Sequence, residues 1–190
     1  MQSLILSMAV ACSTLSAQTP KASPKKTVVR RANELTLAGL RPGKDNSIRA
    51  VQLYKQADLK TVKEDSQLHW SDACRKQTLS MDLDSEMKVQ VIRVAEADWL
   101  QGDCVRVPPG PWKTGRGLRV QDEAKQVTRL YGQPDSRSPS SKGGKTLELL
   151  YYAFDWAGND VPQVMEVLCT KDSAVQPGRV VEITLAAPSL

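Results

Sequence analysis

Residues 122–134, DEAKQVTRLYGQP, admit few structures. Asp122 is a residue type that caps helix N-termini, and Ala124, Val127, Leu130 and Tyr131 recur at helical spacing on one face. Gly132 supplies a left-handed stop and Pro134 forbids continuation. The spacing predicts a short helix with a hard end.

This segment belongs to GLRVQDEAKQVTRLYGQPDSR, which starts at Gly117, and GLRPGKDNSIRAVQLYKQADLK, from Gly39, repeats its outline. With one extra residue allowed at Gly43, Gly39-Leu40-Arg41 lies over Gly117-Leu118-Arg119, and Leu53-Tyr54-Lys55-Gln56 over Leu130-Tyr131-Gly132-Gln133. In the earlier copy Asp45, Asn46 and Ser47 offer the cap, and Ala50, Val51, Leu53 and Tyr54 form the face. Lys55 and Ala57 stand where the later copy has Gly132 and Pro134, so this helix is expected to run on or to end differently.

Each helix precedes several short apolar runs. After the first come DSQLHWSDA, KQTLSMDLD and KVQVIRVAE; after the second, a polar loop SRSPSSKGGK leads into TLELLYYAFDW, QVMEVLCT and RVVEITLA. In the last run Val181, Ile183 and Leu185 alternate with Glu182 and Thr184, the pattern of a half-buried strand. A three-stranded sheet with one short helix buries too little to stand alone, whereas two such units side by side can. The expected fold is therefore α+β: two tandem helix-plus-antiparallel-meander units at 34–107 and 117–190, joined by a stiff, Pro-rich stretch at 108–116.

The helix motif, Gly-Leu followed by a capping residue, a valine, and a Leu/Tyr-Gly-x-Pro stop ahead of an antiparallel sheet, resembles a known unit. It occurs singly in the small lipoproteins of the outer-membrane β-barrel assembly machine and twice in tandem in the secreted β-lactamase inhibitor protein. The resemblance covers residues 37–187 in outline, and residues 117–134 match as a motif. It implies the α+β repeat and a function through protein contacts; it transfers no partner-contacting residue to a numbered position.

Residues 1–17 carry no charge and hold an apolar run from Leu4 to Ala11, the outline of a secretory signal peptide. Cys12, behind Ala9, Val10 and Ala11, offers a lipid anchor as an alternative to cleavage. The run is far short of the roughly 20 residues of a transmembrane helix. The expected location is secreted or periplasmic, with a lipoprotein as the alternative. Residues 18–33 contain Lys21, Lys25, Lys26, Arg30, Arg31 and prolines at 20 and 24, and read as an extended basic tail. These five charges equal the net charge of +5, so residues 34–190 balance at 21 basic and 21 acidic groups. A nucleic-acid-binding domain would concentrate its basic residues in the folded body, so no nucleic-acid partner is expected.

No catalytic constellation stands out. His69 is the sole histidine and has no nucleophile elbow to serve, so a half-exposed strand histidine is expected. Glu148 with Glu166, or Asp155 with Asp160, could act as acid and base of an envelope hydrolase or a carbohydrate-binding enzyme, against the plainer reading of solvated strand faces. No Cys or His spacing suggests a metal, and no cofactor is expected. Cys74 and Cys104, 30 residues apart, are candidates for a structural disulfide, with Cys74–Cys169 as the competitor and Cys169 otherwise a buried apolar residue.

Tyr151, Tyr152, Phe154 and Trp156 are four of nine aromatics and run into a Gly-Asn-Asp-Val-Pro loop. Phe154 reads as core. Tyr152, Asp155, Trp156, Asn159 and Asp160 are the expected contact surface for a partner, since Tyr and Trp dominate binding hot spots. The function expected from these features is an exported non-catalytic protein-binding module, an envelope assembly factor or inhibitor-like protein.

Overall fold

The computed structural model describes residues 33–55, 58–62, 65–101, 112–154, 164–173 and 175–187. Both Gly-Leu-Arg stretches close the same local turn. Gly39 (φ 74°) and Gly117 (φ 94°) take the left-handed conformation that favours glycine, and Leu40 and Leu118 enter the core fully buried. The Arg41 N–H donates to Asp45 Oδ2 at 2.7 Å, and the Arg119 N–H to Asp122 Oδ2 at 2.8 Å. Asp122 is therefore spent on the turn and is not the helix cap expected from the sequence.

Two helices follow these turns, α1 at Ser47–Tyr54 and α2 at Ala124–Tyr131. The Asn46 side chain caps α1, accepting from the Arg49 N–H at 3.0 Å. Glu123 occupies the N-cap of α2 without a side-chain bond; the Ala124 N–H donates instead to the Gly178 carbonyl at 2.7 Å. Gly132 (φ 77°) ends α2, and Lys55 ends α1 at the corresponding place with φ 62°, so the first helix stops where the second does. Ala50 and Tyr54 are buried on α1, but Val51 is exposed and does not join the face assigned to it.

Eight strands complete the described structure. They are β1 at Asp58–Val62, β2 at Asp65–Asp72, β3 at Gln77–Leu83, β4 at Val89–Glu96, β5 at Ser136–Lys142, β6 at Lys145–Ala153, β7 at Val164–Thr170 and β8 at Val180–Ala186. They form one antiparallel sheet in the order β1-β2-β3-β4-β8-β7-β6-β5. The expected arrangement of two packed α+β units is overturned by the central pair: β4 and β8 bond to each other from Val91↔Ala186 to Ala95↔Glu182, so all strands belong to a single sheet. The two eight-residue helices are short attachments to that sheet rather than half of each unit.

Two further readings are corrected by the same topology. SRSPSSK is not a loop but the edge strand β5, where Pro139 is tolerated because no further strand needs its missing N–H. β8 is buried along both faces, not half-buried, because it lies at the centre of the sheet.

One face of the sheet is covered. Leu79 and Met81 from β3, Ile92 and Val94 from β4, Ile183 and Leu185 from β8, and Met165 and Val167 from β7 pack beneath Ala50, Tyr54, Val127 and Tyr131 of the helices. Aromatic rings close the two ends of this layer: Tyr54 against Trp70 (5.5 Å between centroids) and Trp112 (6.2 Å), and Tyr131 against Tyr152 (5.8 Å). Glu34, 2% exposed, locks the chain entering this core to the turn before α2: its carboxylate accepts from the Gly115 and Arg116 N–H groups and from the Tyr131 hydroxyl at 2.6 Å. Among the described residues no helix is long and apolar enough to cross a membrane.

Candidate functional site

The opposite face of the sheet carries side chains such as Gln67, His69, Ser80, Arg93, Glu166, Glu182 and Thr184, one residue out of phase with the covered set. At one end it curls. Lys142 of β5 bonds Glu182 of β8, three strands away, and Lys145 of β6 reaches Glu96 at the end of β4 at 3.7 Å, also three strands away. Three strand spacings span about 14 Å, a distance that extended Lys and Glu side chains can just bridge, so these pairs tie strands three apart across a concavity at this end.

The concavity is a cleft of about 420 Å³ lined by Glu96, Asp98, Trp99, Lys142, Gly143, Lys145, Leu147 and Val181. Its floor is apolar: Leu147 and Val181 are buried. The pairing of β7 with β8 shifts between Leu168 and Cys169, and Val181 falls in that irregularity, opposite no partner residue. Trp99, in the turn after β4, stands at the cleft with 69% of its surface exposed. The exposed indole and the buried Leu147 and Val181 together form an apolar patch at the cleft.

The rim is held by charge. Lys145 joins Asp98 at 2.7 Å, tying the Trp99 turn to the β5–β6 hairpin, and Arg179 holds Glu96 at 2.8 Å. The Lys145 ammonium hydrogen-bonded to Asp98 keeps that carboxyl below its usual range, and the same bond raises the Lys145 ammonium above its own. Glu182 is shared between Lys142 and Arg93 (3.4 Å). The border of the cleft thus carries three acidic and four basic groups joined in ion pairs, with Lys142 and Lys145 half exposed, around an apolar floor.

The residues expected to carry a function fare unevenly. Tyr152 is not a contact residue: it is 0% exposed in the covered layer, and its hydroxyl donates to the Gly132 carbonyl at 3.1 Å. Phe154 is core, as the sequence suggested. Asp155, Trp156, Asn159 and Asp160 lie outside the described residues, as do Cys12 and Cys104. Glu148 and Glu166 cannot meet as acid and base. Glu148 pairs in register with Cys169 and Glu166 with Tyr151, three positions along β6, which places the two carboxyls on opposite faces of the sheet. Glu148 instead binds Arg137 at 3.1 Å.

His69 sits half-buried in mid-strand opposite Ser80. Cys74, in the turn between β2 and β3, is disulfide-bonded, whereas Cys169 is a free buried thiol, which removes the Cys74–Cys169 alternative. Burial pushes the Cys169 thiol up to about 12, with the Glu148 charge adding to the effect. It is inert as a nucleophile at neutral pH. Among the described residues no group of three or more His, Cys, Asp or Glu is placed to hold a metal ion. Sequence reasoning missed Trp99 and its cleft; the available signal was a tryptophan among turn residues directly after an alternating strand.

No family model matches the sequence, and no curated protein matches it. A solved structure described as a cysteine-rich secretory protein from Staphylococcus aureus subsp. aureus Mu50 is similar at a TM-score of 0.46 and 11% identity, over 83% of this chain and 48% of that one. The chain thus spans about half the length of that neighbour. At these values the likeness carries no argument about fold or activity.

Proposed function

We propose that the chain is an exported, non-catalytic protein-binding module that engages its partner through the cleft at Trp99. The observation that carries this reading is the exposed indole beside an apolar floor, inside a border whose charges are already committed to one another. Such a site offers shape and desolvation but no poised acid, base or nucleophile. Export is supported by the uncharged leader-like residues 1–17 and by the disulfide-bonded state of Cys74, which belongs to an oxidising compartment. The resemblance of residues 117–134 to the β-lactamase inhibitor and assembly-lipoprotein unit points the same way.

Affinity capture from envelope extract tests the reading when run in parallel with the wild type and Trp99→Ala. A stoichiometric protein retained by the wild type and lost by the variant supports it. Hydrolysis of a cell-wall glycan by the purified chain, unaffected by Trp99→Ala, would remove it.

A further inference from the structure

The helix layer leaves an apolar stripe uncovered on its outer side. Ile48 and Val51, one turn apart on α1, are 66% and 42% exposed. Met87, whose carbonyl accepts from the Ser47 N–H at 2.9 Å at the start of α1, is 37% exposed. Three of the six large apolar side chains exposed among the described residues therefore stand around one short helix. The charge beside this stripe has one sign. Arg49 follows Ile48, and Lys55 lies one turn beyond Val51; both are exposed, and among the described residues neither is ion-paired. The helix itself holds no acid. The acids nearest in the chain and in the adjoining turn are engaged locally: Asp45 by the Arg41 N–H, Asp84 by the N–H groups of Glu86 and Lys88, and Glu86 by the Lys88 ammonium at 2.7 Å. Upstream, residues 18–33 add five cations and no acid. They join the body five residues before Ala38, whose carbonyl accepts from the hydroxyl of Tyr54, the last residue of α1.

Beyond the role given to the Trp99 cleft, we propose that α1 is a docking surface for an anionic phospholipid membrane. Ile48, Val51 and Met87 enter the apolar boundary of the bilayer, while Arg49, Lys55 and the upstream cations meet the lipid phosphates. Charge complementarity selects this occupant: aliphatic side chains beside unpaired cations match an anionic headgroup layer over acyl chains. Three aliphatic side chains cover far less than the roughly 800 Å² a side of a stable protein interface. A bilayer needs no complementary shape, and a small apolar insertion joined to several cations is enough to hold a chain there. The cleft opens on the other face of the sheet, so docking through α1 leaves Trp99 accessible.

The test uses the full chain carrying Val51→Trp, a substitution at an exposed position. The probes are vesicles of phosphatidylcholine alone, or mixed in equal parts with phosphatidylglycerol, each brominated in the upper acyl chains. The emission added by the substitution, taken against the wild type, should shift to the blue and be quenched saturably by the anionic vesicles, less so at high salt. Zwitterionic vesicles should bind at least about tenfold more weakly, and adding Arg49→Gln with Lys55→Gln should weaken anionic binding by about tenfold or more. All three changes fall on exposed side chains, so thermal melts should stay in place. Equal quenching by both vesicle types, or quenching indifferent to loss of the two cations, would overturn the proposal. Vesicle binding that leaves the introduced indole unquenched would overturn it as well, assigning membrane contact to residues 1–33 alone. A blue shift produced without lipid by the protein captured through Trp99 would make α1 part of that protein's interface instead, and would equally end the membrane reading.

Discussion

Replacing Glu34 by glutamine should be among the most damaging single-atom-scale changes in this protein. Glu34 Oε1 accepts from the N–H groups of Leu35 (2.9 Å), Thr36 (3.0 Å) and Gly115 (3.0 Å); Oε2 accepts from the Arg116 N–H (3.1 Å) and the Tyr131 hydroxyl (2.6 Å). An amide of the same shape keeps one acceptor. With its oxygen on the three N–H groups, its nitrogen confronts the Arg116 N–H, while Tyr131 can turn its proton to Thr114 Oγ1, 2.7 Å away. One buried N–H is orphaned at about 1–3 kcal/mol, and three bonds lose their charge assistance at roughly 1 kcal/mol each. Relief from burying a charge offsets part of this, leaving a net loss of about 2–4 kcal/mol. For a chain of this size that lowers Tm by roughly 5–15 °C. Thermal and urea unfolding followed by circular dichroism measure it directly. A change under about 0.5 kcal/mol, the range of ordinary surface substitutions, would refute the argument that this carboxylate fastens the entering chain to the turn before α2.

Three other outcomes are expected. Gly115→Ala should destabilise by a similar route, since a Cβ there would stand 2.6 Å from Glu34 Oε1 and from Thr36 Oγ1; an unchanged urea midpoint would contradict this. Lys55→Gly should stabilise by about 1 kcal/mol, because Lys55 holds φ 62° and ψ −140°, a region nearly reserved for glycine; a lower Tm would show that the lysine is favoured there for another reason. The Cys169 thiol is raised in the fold from 9.0 to about 12, so its contribution to stability is full below the unfolded pKa and declines as pH rises from there toward the folded value. Urea midpoints at about pH 8 and about pH 10.5 should therefore fall further apart in the wild type than in Cys169→Ala, and equal separations would argue against burial of the thiol.

Local signals in the sequence were reliable where one residue type answers one physical need. Gly132 sits at the left-handed position expected of it, and Val127 and Tyr131 face the core. β2, β3, β4, β6, β7 and β8 lie where short apolar runs placed them. The global arrangement was not legible, because alternation says that a strand has two faces and not which strand lies beside it. The pairing of β4 with β8 joins residues far apart in sequence, and no local pattern in VQVIRVAE or VVEITLA names the other. For the same reason Tyr152 read as a contact residue: period-two spacing put it on a face with Phe154, but only the helix Tyr131 across the layer shows that face to be covered. SRSPSSK read as a loop because edge strands are built from residues that discourage further pairing. Glu34 looked like any acid and Trp99 like any tryptophan, since both roles are set by neighbours distant in the chain: Gly115 and Tyr131 for the first, Leu147 and Val181 for the second.

The most direct test of the account is partner affinity against stability in one variant. Trp99 is exposed, so Trp99→Ala should leave Tm unchanged within about 1 °C while weakening binding of the captured partner by about 2 kcal/mol or more, at least thirtyfold in Kd. Calorimetric titration of wild type and variant, paired with thermal melts of both, gives the two numbers together. Unchanged Kd with unchanged Tm would contradict a binding role for the cleft, and a large fall in Tm would show that the indole supports the fold rather than a partner.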